Sequence, residues 1–406
     1  MQVYLVGGAV RDALMGLATQ DHDWVVVGAT PKQLLDQGYT PVGQDFPVFL
    51  HPRTKDEYAL ARTERSTGPG YKAFAVVASP EVTLEEDLGR RDLTINSIAV
   101  HAYSVRADGT FDTENICDPY GGQRDIANKV LRHTTQAFTE DPVRILRLAR
   151  FAARFNDFAV APETLALTRH MVDQGDVDHL VAERVWQELA RGLMEKQPSR
   201  MFAVLRDCGA LEHLLPELDR LWAVPQSKEQ HPEVATGLHR MRVLDMAAHQ
   251  GAPLSVRFAT LTLDLGKDTA LRDISQRLRV PTECTELAQV VAREHGNIHR
   301  CASLSPDATL HLLERCDAIR KPARFADILQ ACECDARGRL GLQDTRYPQA
   351  RRLADALRVA MAAPTQAIAD EAMSKGITGP TIGALIHDAR AAAIASALQI
   401  PPEDTL

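Results

Sequence analysis

"YLVGGAVRDALMGLATQDHDWVVVG", residues 4–28, holds two apolar runs, a glycine pair, an arginine and two aspartates one residue apart. Residues 3–6 read as a buried strand, Gly7-Gly8 as a tight turn and residues 9–15 as the first turns of a helix. Glycines at such a turn let backbone N–H groups approach an anion closely, and a helix N-terminus adds a favourable partial charge. Gly8 and Arg11, one turn into the helix, therefore form a candidate phosphate cradle. In a strand, residues i and i+2 share a face, so Asp21 and Asp23 converge while His22 points away. Two converging carboxylates suit Mg²⁺, which takes oxygen ligands and often binds through one or two carboxylates plus substrate phosphates. Taken alone, such a pair reads as the polar mouth of the strand at 24–27.

The surrounding chain favours the metal reading. A glycine turn, a helix and an Asp-x-Asp opening an apolar strand put a phosphate cradle beside a metal site, as nucleotidyl transfer requires. Glu57, in the strand "DEYALAR", is a further carboxylate, read equally as an exposed strand glutamate. Residues 1 to about 135 alternate β-rich runs, at 3–6, 24–27, 48–51, 57–62, 98–102 and 129–133, with turns and short helices, and read as an α/β or α+β unit. From about residue 139 the period becomes helical, with helices expected over 142–155, 162–173, 182–194 and 199–208 and onward to 399. The fold class expected is α+β: a mixed β-sheet with helices at the N-terminus, then an all-α remainder. The segment 221–232, "LWAVPQSKEQHP", carries two prolines and reads as a second boundary.

With 406 residues, 45% of them hydrophobic and 25% charged, the chain reads as soluble, globular and several domains long. The net charge of −8 gives no global basic field, so any nucleic-acid surface must be local. The seven cysteines form no CxxC pair and read as reduced thiols. Cys332 and Cys334 are read as bystanders in a helix. No long apolar run reads as a membrane span, and a strand at residue 3 leaves no room for a signal peptide, so the expected location is the cytoplasm.

Two more constellations carry chemistry. In "EEDLGRRDLTINSIAV", residues 85–100, Arg91 is a candidate phosphate or ribose ligand, read equally as part of a solvated helix start. In "EDPVRILRLARFAARF", residues 140–155, acids precede Pro142 at a helix start. Arg144, Arg147, Arg150 and Arg154 then fall within about 120° of one another on a helical wheel. Ile145, Leu148, Phe151 and Ala152 are left to pack inward. An amphipathic helix with a solvated arginine face is the plain alternative. Asp141 beside Arg144 offers an acceptor and a donor fork, a pair able to read the polar edge of a base.

Together with "DPYGG" at 118–122, "ERVWQEL" at 183–189, "LRDCGAL" at 205–211 and "GPTIGALIHDARAAAI" at 379–394, these motifs resemble the bacterial class II CCA-adding enzymes, the tRNA nucleotidyltransferases, over nearly the whole chain. The resemblance implies a nucleotidyltransferase head at 1–138, a helical neck at 139–222 and a helical body and tail at 223–406. It implies metal-binding roles for Asp21 and Asp23, and nucleotide contacts at Gly8, Arg11, Arg91 and Arg147. It also implies base recognition by Asp141 and Arg144 in place of a nucleic-acid template. The partners implied are CTP, ATP and tRNA, with Mg²⁺ as cofactor, for a monomer or weak dimer. A poly(A) polymerase of the same family and a catalytically silent RNA-binding protein are the alternatives. The first usually carries a basic C-terminal extension, where this chain reads "PPEDTL"; the second conflicts with the presence of Asp21, Asp23, Asp141 and Arg144.

Many relatives of the multifunctional type carry an HD phosphohydrolase, whose metal site needs an adjacent His-Asp pair with further histidines. In "VRFATLTLDLGKDTALRDISQRLRVP", residues 256–281, Leu263 stands where that histidine would precede Asp264. The segment after Lys267 is short and has no histidine. His239 and His295 remain at plausible ligand positions, too few to build a two-metal site. The expectation is a scaffold that has lost the hydrolase and serves as a platform for the tRNA acceptor arm.

Overall fold

The computed structural model describes residues 1–19, 22–42, 48–66, 74–106, 109–224, 235–265 and 268–398. Asp21, the segment 225–232 and Lys267 lie outside them. The chain divides into two compact units, Met1–Leu214 and Leu215–Leu406.

In the first unit, strand β1 (Gln2–Val6) leads into α1 (Gly8–Leu14), β2 (Asp23–Val27), α2 (Pro31–Asp36), β3 (Thr40–Val42), β4 (Val48–Leu50) and β5 (Glu57–Leu60). β6 (Arg62–Ser66) and β7 (Phe74–Ala78) form a separate hairpin, followed by α3 (Leu84–Gly89), β8 (Ala99–His101) and β9 (Ile116–Cys117). The main sheet is mixed, in the order β3-β4-β5-β2-β1-β8-β9, with only β2 and β5 parallel. β1 and β2 lie inside this sheet, so their residues are apolar on both faces. Val6 and Val25 pack with Leu88 and Ala99 on one side, and Leu5, Val10, Ile98 and Val100 pack on the other. Both faces of a central strand are covered, which is why β2 reads as a continuous Val-rich run and not as an alternation.

α4 (Gly122–Ala127), β10 (Val130–Leu131), α5 (Val143–Arg154), β11 (Ala159–Val160), α6 (Pro162–Asp173), α7 (Ala182–Leu193), α8 (Ser199–Asp207) and α9 (Ala210–Leu214) complete the unit. The four helices expected from period between 142 and 208 each form within a residue of their anticipated ends. The expected strand at 57–62 is two strands, because the chain leaves the main sheet at Ala61 to start the hairpin. α5 is the pivot, packed on α7 and α8. It is buried nearly all round, Arg144 and Arg150 included. The plain alternative of a solvated arginine face therefore gives way to a largely enclosed one, in which Arg147 and Arg154 keep about a third of their side-chain exposure.

The second unit is helical throughout its described residues: α10 (Pro216–Asp219), α11 (Thr236–His249), α12 (Leu254–Thr262), α13 (Asp268–Arg277), α14 (Thr282–His299), α15 (Pro306–Arg315), α16 (Pro322–Arg337), α17 (Pro348–Ala362), α18 (Thr365–Ser374) and α19 (Pro380–Leu398). α12 sits among α11, α14 and α16. α19 opens at Pro380 behind Gly379 at φ 63°, a left-handed turn followed by the residue best suited to a first helical position. Cys332 and Cys334 are buried in α16, and all seven cysteines are free.

Candidate active site

A cleft of about 990 Å³ opens in the first unit between the C-terminal end of β1, the start of β2 and the arginine face of α5. Gly8, Arg11, Asp23, Arg91, Asp141, Arg144 and Arg147 all line it, although they are scattered over 140 positions of sequence. Nine arginines and five carboxylates contribute to its wall. A chain of net charge −8 thus concentrates positive charge in one concavity, where low-dielectric walls focus the field on an anion.

Most of these arginines are fixed by a specific partner. Arg11 is only 3% exposed, donates from Nε to Asp12 at 2.8 Å and from Nη1 to Asn96 Oδ1, and lies over the rings of Phe151 and Phe155 at 5.2 and 5.3 Å. Arg147 donates from Nε to Asp92 Oδ2 at 2.7 Å. Asp92 Oδ1 in turn accepts from Asn96 Nδ2 at 2.9 Å and from the Leu93 amide at 2.8 Å. Arg154 reaches Asp12 Oδ2 at 2.9 Å, and Arg150 donates to Glu188 Oε2 at 2.6 Å. The result is one unbroken polar chain, Arg147–Asp92–Asn96–Arg11–Asp12–Arg154, that stitches α1 and the segment after α3 to α5. Burial alone would raise the Asp92 carboxyl, but the Arg147 charge and the hydrogen bonds from Asn96, Leu93 and Arg147 hold it far below the ordinary carboxylate range.

The glycine pair serves the arginines as much as any ligand. Gly7 has φ 70°, and a Cβ there would come within 3.0 Å of the Arg91 guanidinium. A Cβ on Gly8 would lie 3.4 Å from that of Arg11. α1 is a seven-residue helix, so its dipole is short and the guanidinium groups dominate the local field. Arg91 is steadied by Asp87 at 3.2 Å, and Arg90 by the same buried carboxylate at 2.8 Å.

Asp23 opens β2 in register with Glu57 on the parallel neighbour β5, so both carboxylates leave the sheet on one side and both line the cleft. Hard oxygen donors placed side by side next to a guanidinium-lined concavity fit a divalent cation that also takes phosphate oxygens. At the opposite wall, Asp141 accepts from the Val143 amide at 3.2 Å, which orients its carboxylate at the start of α5. Arg184 of α7 forks onto that carboxylate at 3.1 and 2.7 Å, and Arg144 donates to the Ala137 carbonyl. Reasoning from sequence gave no role to Asp12, Asn96 or Arg184. Arg184 lies in the quoted "ERVWQEL", but nothing in its spacing tied it to Asp141.

In the second unit, His239, Arg240, Asp264, His295, His299 and Asp335 surround a smaller pocket of about 200 Å³. His239 and His295 are thus neighbours, as plausible ligands would be. Nothing in the spacing of Arg240, His299 and Asp335 signals that they join them.

A mixed sheet with carboxylates at the edge of an arginine-lined cleft, followed by helices, defines a nucleotidyltransferase head on a helical chain, and residues 3–132 match the family described as the Poly A polymerase head domain. Residues 157–221 match the family described as a probable RNA and SrmB-binding site of polymerase A. The chain is 62% identical to a multifunctional CCA protein of Polaromonas naphthalenivorans, over 99% of this chain and 100% of that one. It is 61% identical to another from Acidovorax sp., over 97% and 96% of the two. The chain belongs to the CCA-adding tRNA nucleotidyltransferases and is an enzyme of that family. Solved structures share its fold. The CCA-adding enzyme of Bacillus stearothermophilus in complex with CTP is 22% identical, with a TM-score of 0.64 over 97% of this chain and 89% of that one. That of Thermotoga maritima complexed with tRNA is 18% identical, with a TM-score of 0.61 over 99% and 88%. No helix among the described residues is long and apolar enough to cross a membrane.

Proposed function

We propose that the chain adds C, C and A in turn to the 3′ end of tRNA from CTP and ATP, without a nucleic-acid template. The observation that carries this is the cleft itself: nine arginines facing the strand edge that bears Asp23 and Glu57. In each cycle the RNA 3′-oxygen attacks the α-phosphorus, the bond to the β-phosphate oxygen breaks and pyrophosphate leaves, while the hydroxyl proton passes to solvent. Asp21 and Asp23 are the proposed holders of two divalent cations, read as Mg²⁺, with Glu57 in register beside Asp23. Such a cation supplies charge neutralisation at the reacting phosphate and favours the deprotonated hydroxyl. Gly8, Arg11 and Arg91 hold the triphosphate against its own charge, and Arg147 anchors the nucleotide from α5. Fixed guanidinium groups need no reorganisation as charge moves onto the leaving pyrophosphate.

Asp141 and Arg144 are the proposed readers of the base, with Arg184 holding the Asp141 carboxylate. Asp141→Ala and Arg144→Ala are then expected to change the CTP-to-ATP preference by about 10–100-fold, the cost of leaving one buried hydrogen-bonding group unmet. They should do so with smaller loss of total turnover. Single-turnover extension of a 3′-truncated tRNA with each nucleotide separately measures it. Equal losses with both nucleotides would remove the base-reading role.

The same assay separates this reading from poly(A) synthesis: CTP alone should extend the truncated tRNA by two cytidines and stop. The working division is a head at 1–138, a neck at 139–222 and a body and tail at 223–406, in a cytoplasmic monomer or weak dimer. The body, with Leu263 before Asp264, is read as having lost HD hydrolysis and as carrying the tRNA acceptor arm. Hydrolysis of a 2′,3′-cyclic nucleotide stimulated by metal would overturn that loss. Affinity for tRNA should fall linearly in log–log form between 50 and 200 mM salt, roughly 0.7–0.9 decades per decade for each phosphate contacted. A salt-independent affinity in filter binding would exclude backbone contacts.

A further inference from the structure

The pocket of the second unit does not fit a metal as it stands, because a cation of the chain's own occupies it. Arg240 is only 2% exposed, the largest of the fully buried side chains among the described residues. Its Nε lies 2.7 Å from Asp264 Oδ2, an Nη atom pairs with Asp335 Oδ1, and the other donates to the Thr260 carbonyl at 3.3 Å. Two histidines close on the same carboxylate: His239 Nε2 is 3.4 Å from Asp335 Oδ1, and His299 Nε2 is 3.1 Å from Asp335 Oδ2. Tyr347 holds His299 from behind, its hydroxyl 2.9 Å from Nδ1. α11, α14, α16 and the residues after α12 thus meet on one positive centre.

We infer that the Arg240 guanidinium stands where a divalent cation would sit among Asp264, Asp335, His239 and His299, a permanent substitute that turns a metal centre into a structural clasp. The spacing of the surrounding groups supports this. Ligands about 2.1 Å from a shared ion lie about 3.0 Å apart in octahedral and about 3.4 Å apart in tetrahedral geometry, and the two His–Asp335 separations, 3.4 and 3.1 Å, lie within that span. The chemistry supports it too. A guanidinium stays charged, offers five donors and has no vacant orbital, so it can tie carboxylates together but cannot polarise a bound water. This extends the proposed loss of hydrolysis beyond residue 263: restoring the histidine alone would leave the position filled.

Mn²⁺ bound to the full chain, measured by equilibrium dialysis with elemental analysis, tests it. Wild type and Asp264→Asn should bind the same number of Mn²⁺ ions. Arg240→Ala should bind one more per chain than wild type, and Arg240→Ala/Asp335→Asn should lose that extra ion. Mn²⁺ should raise the melting temperature of Arg240→Ala further than that of wild type. If Arg240→Ala is insoluble, Arg240→Met keeps the buried stem and removes only the charge. The inference fails if wild type holds an ion that Asp264→Asn loses, or if neither Arg240 variant gains one. The failure of the lost-hydrolase reading looks different: wild-type protein would cleave a cyclic nucleotide whatever the Arg240 variants bind.

Discussion

Asp23→Ala is expected to lower incorporation from both CTP and ATP by at least about 10²–10³-fold, the scale of removing one preorganised charge-stabilising group from a transferring phosphoryl centre. Both nucleotides should suffer together, because the metal end of the cleft meets the α-phosphate, which is identical in CTP and ATP. Asp21→Ala should behave in the same way. The effect should be chemical and not structural. Asp23 is exposed at the mouth of β2, and surface substitutions away from buried networks usually stay within about 0.5 kcal/mol. A melting curve superimposable on wild type, with single-turnover extension abolished at saturating nucleotide and Mg²⁺, is the expected pair of results. Glu57→Ala supplies the comparison. It sits in register with Asp23, and a drop of similar size would make it a third ligand. Near-normal CTP incorporation by Asp23→Ala would falsify the metal assignment.

What the sequence made legible follows from which interactions are local. Helix α5 and its neighbours are readable because a 3.6-residue period and proline starts act within one segment. β1, the glycine turn and β2 are readable because apolar runs flanking Gly-Gly and Asp-x-Asp have few other uses. The hairpin of β6 and β7 was not, since its residues alternate weakly and its pairing depends on where the chain leaves the main sheet. In the cleft, the guanidinium groups were legible as a wheel pattern, but their partners were not. Asp12, Asp92, Asn96 and Glu188 are ordinary polar residues in their own segments, and only tertiary placement sets them against arginines of α5. The same limit hid the body cluster. Arg240 looks like one more arginine on a helix until α11 packs against α16 and the residues after α12, and its two carboxylates lie 24 and 95 residues further along.

The polar chain through Asp92 yields the largest expected effect on stability. Asp92 is 5% exposed and holds Arg147, Asn96 and the Leu93 amide at once. Arg147 retains about a third of its side-chain exposure, so when its partner is lost it can turn partly to water. The cost of Asp92→Ala should therefore fall below the ~3–5 kcal/mol of a fully buried pair, at about 2–3 kcal/mol. For a unit of this size that corresponds to a drop of roughly 5–10 °C in melting temperature. Activity should fall as well. Asn96 loses the acceptor that orients its amide, Arg11 then loses the fixed Asn96 oxygen, and both ends of the triphosphate site loosen; a rise in nucleotide KM is the expected signature. The pH dependence gives a separate check. The folded carboxyl is held below its unfolded value, so its contribution is fully present above about pH 4 and is lost as pH falls further. Asp92→Asn keeps the shape and the bond from Leu93 but removes the charge. It should be less stable than wild type at pH 7, with a gap that narrows as the solution is acidified. A gap between wild type and Asp92→Asn that stays constant from pH 7 to pH 3 would mean that the Arg147–Asp92 charge pair contributes nothing, and that Asp92 acts only by filling space.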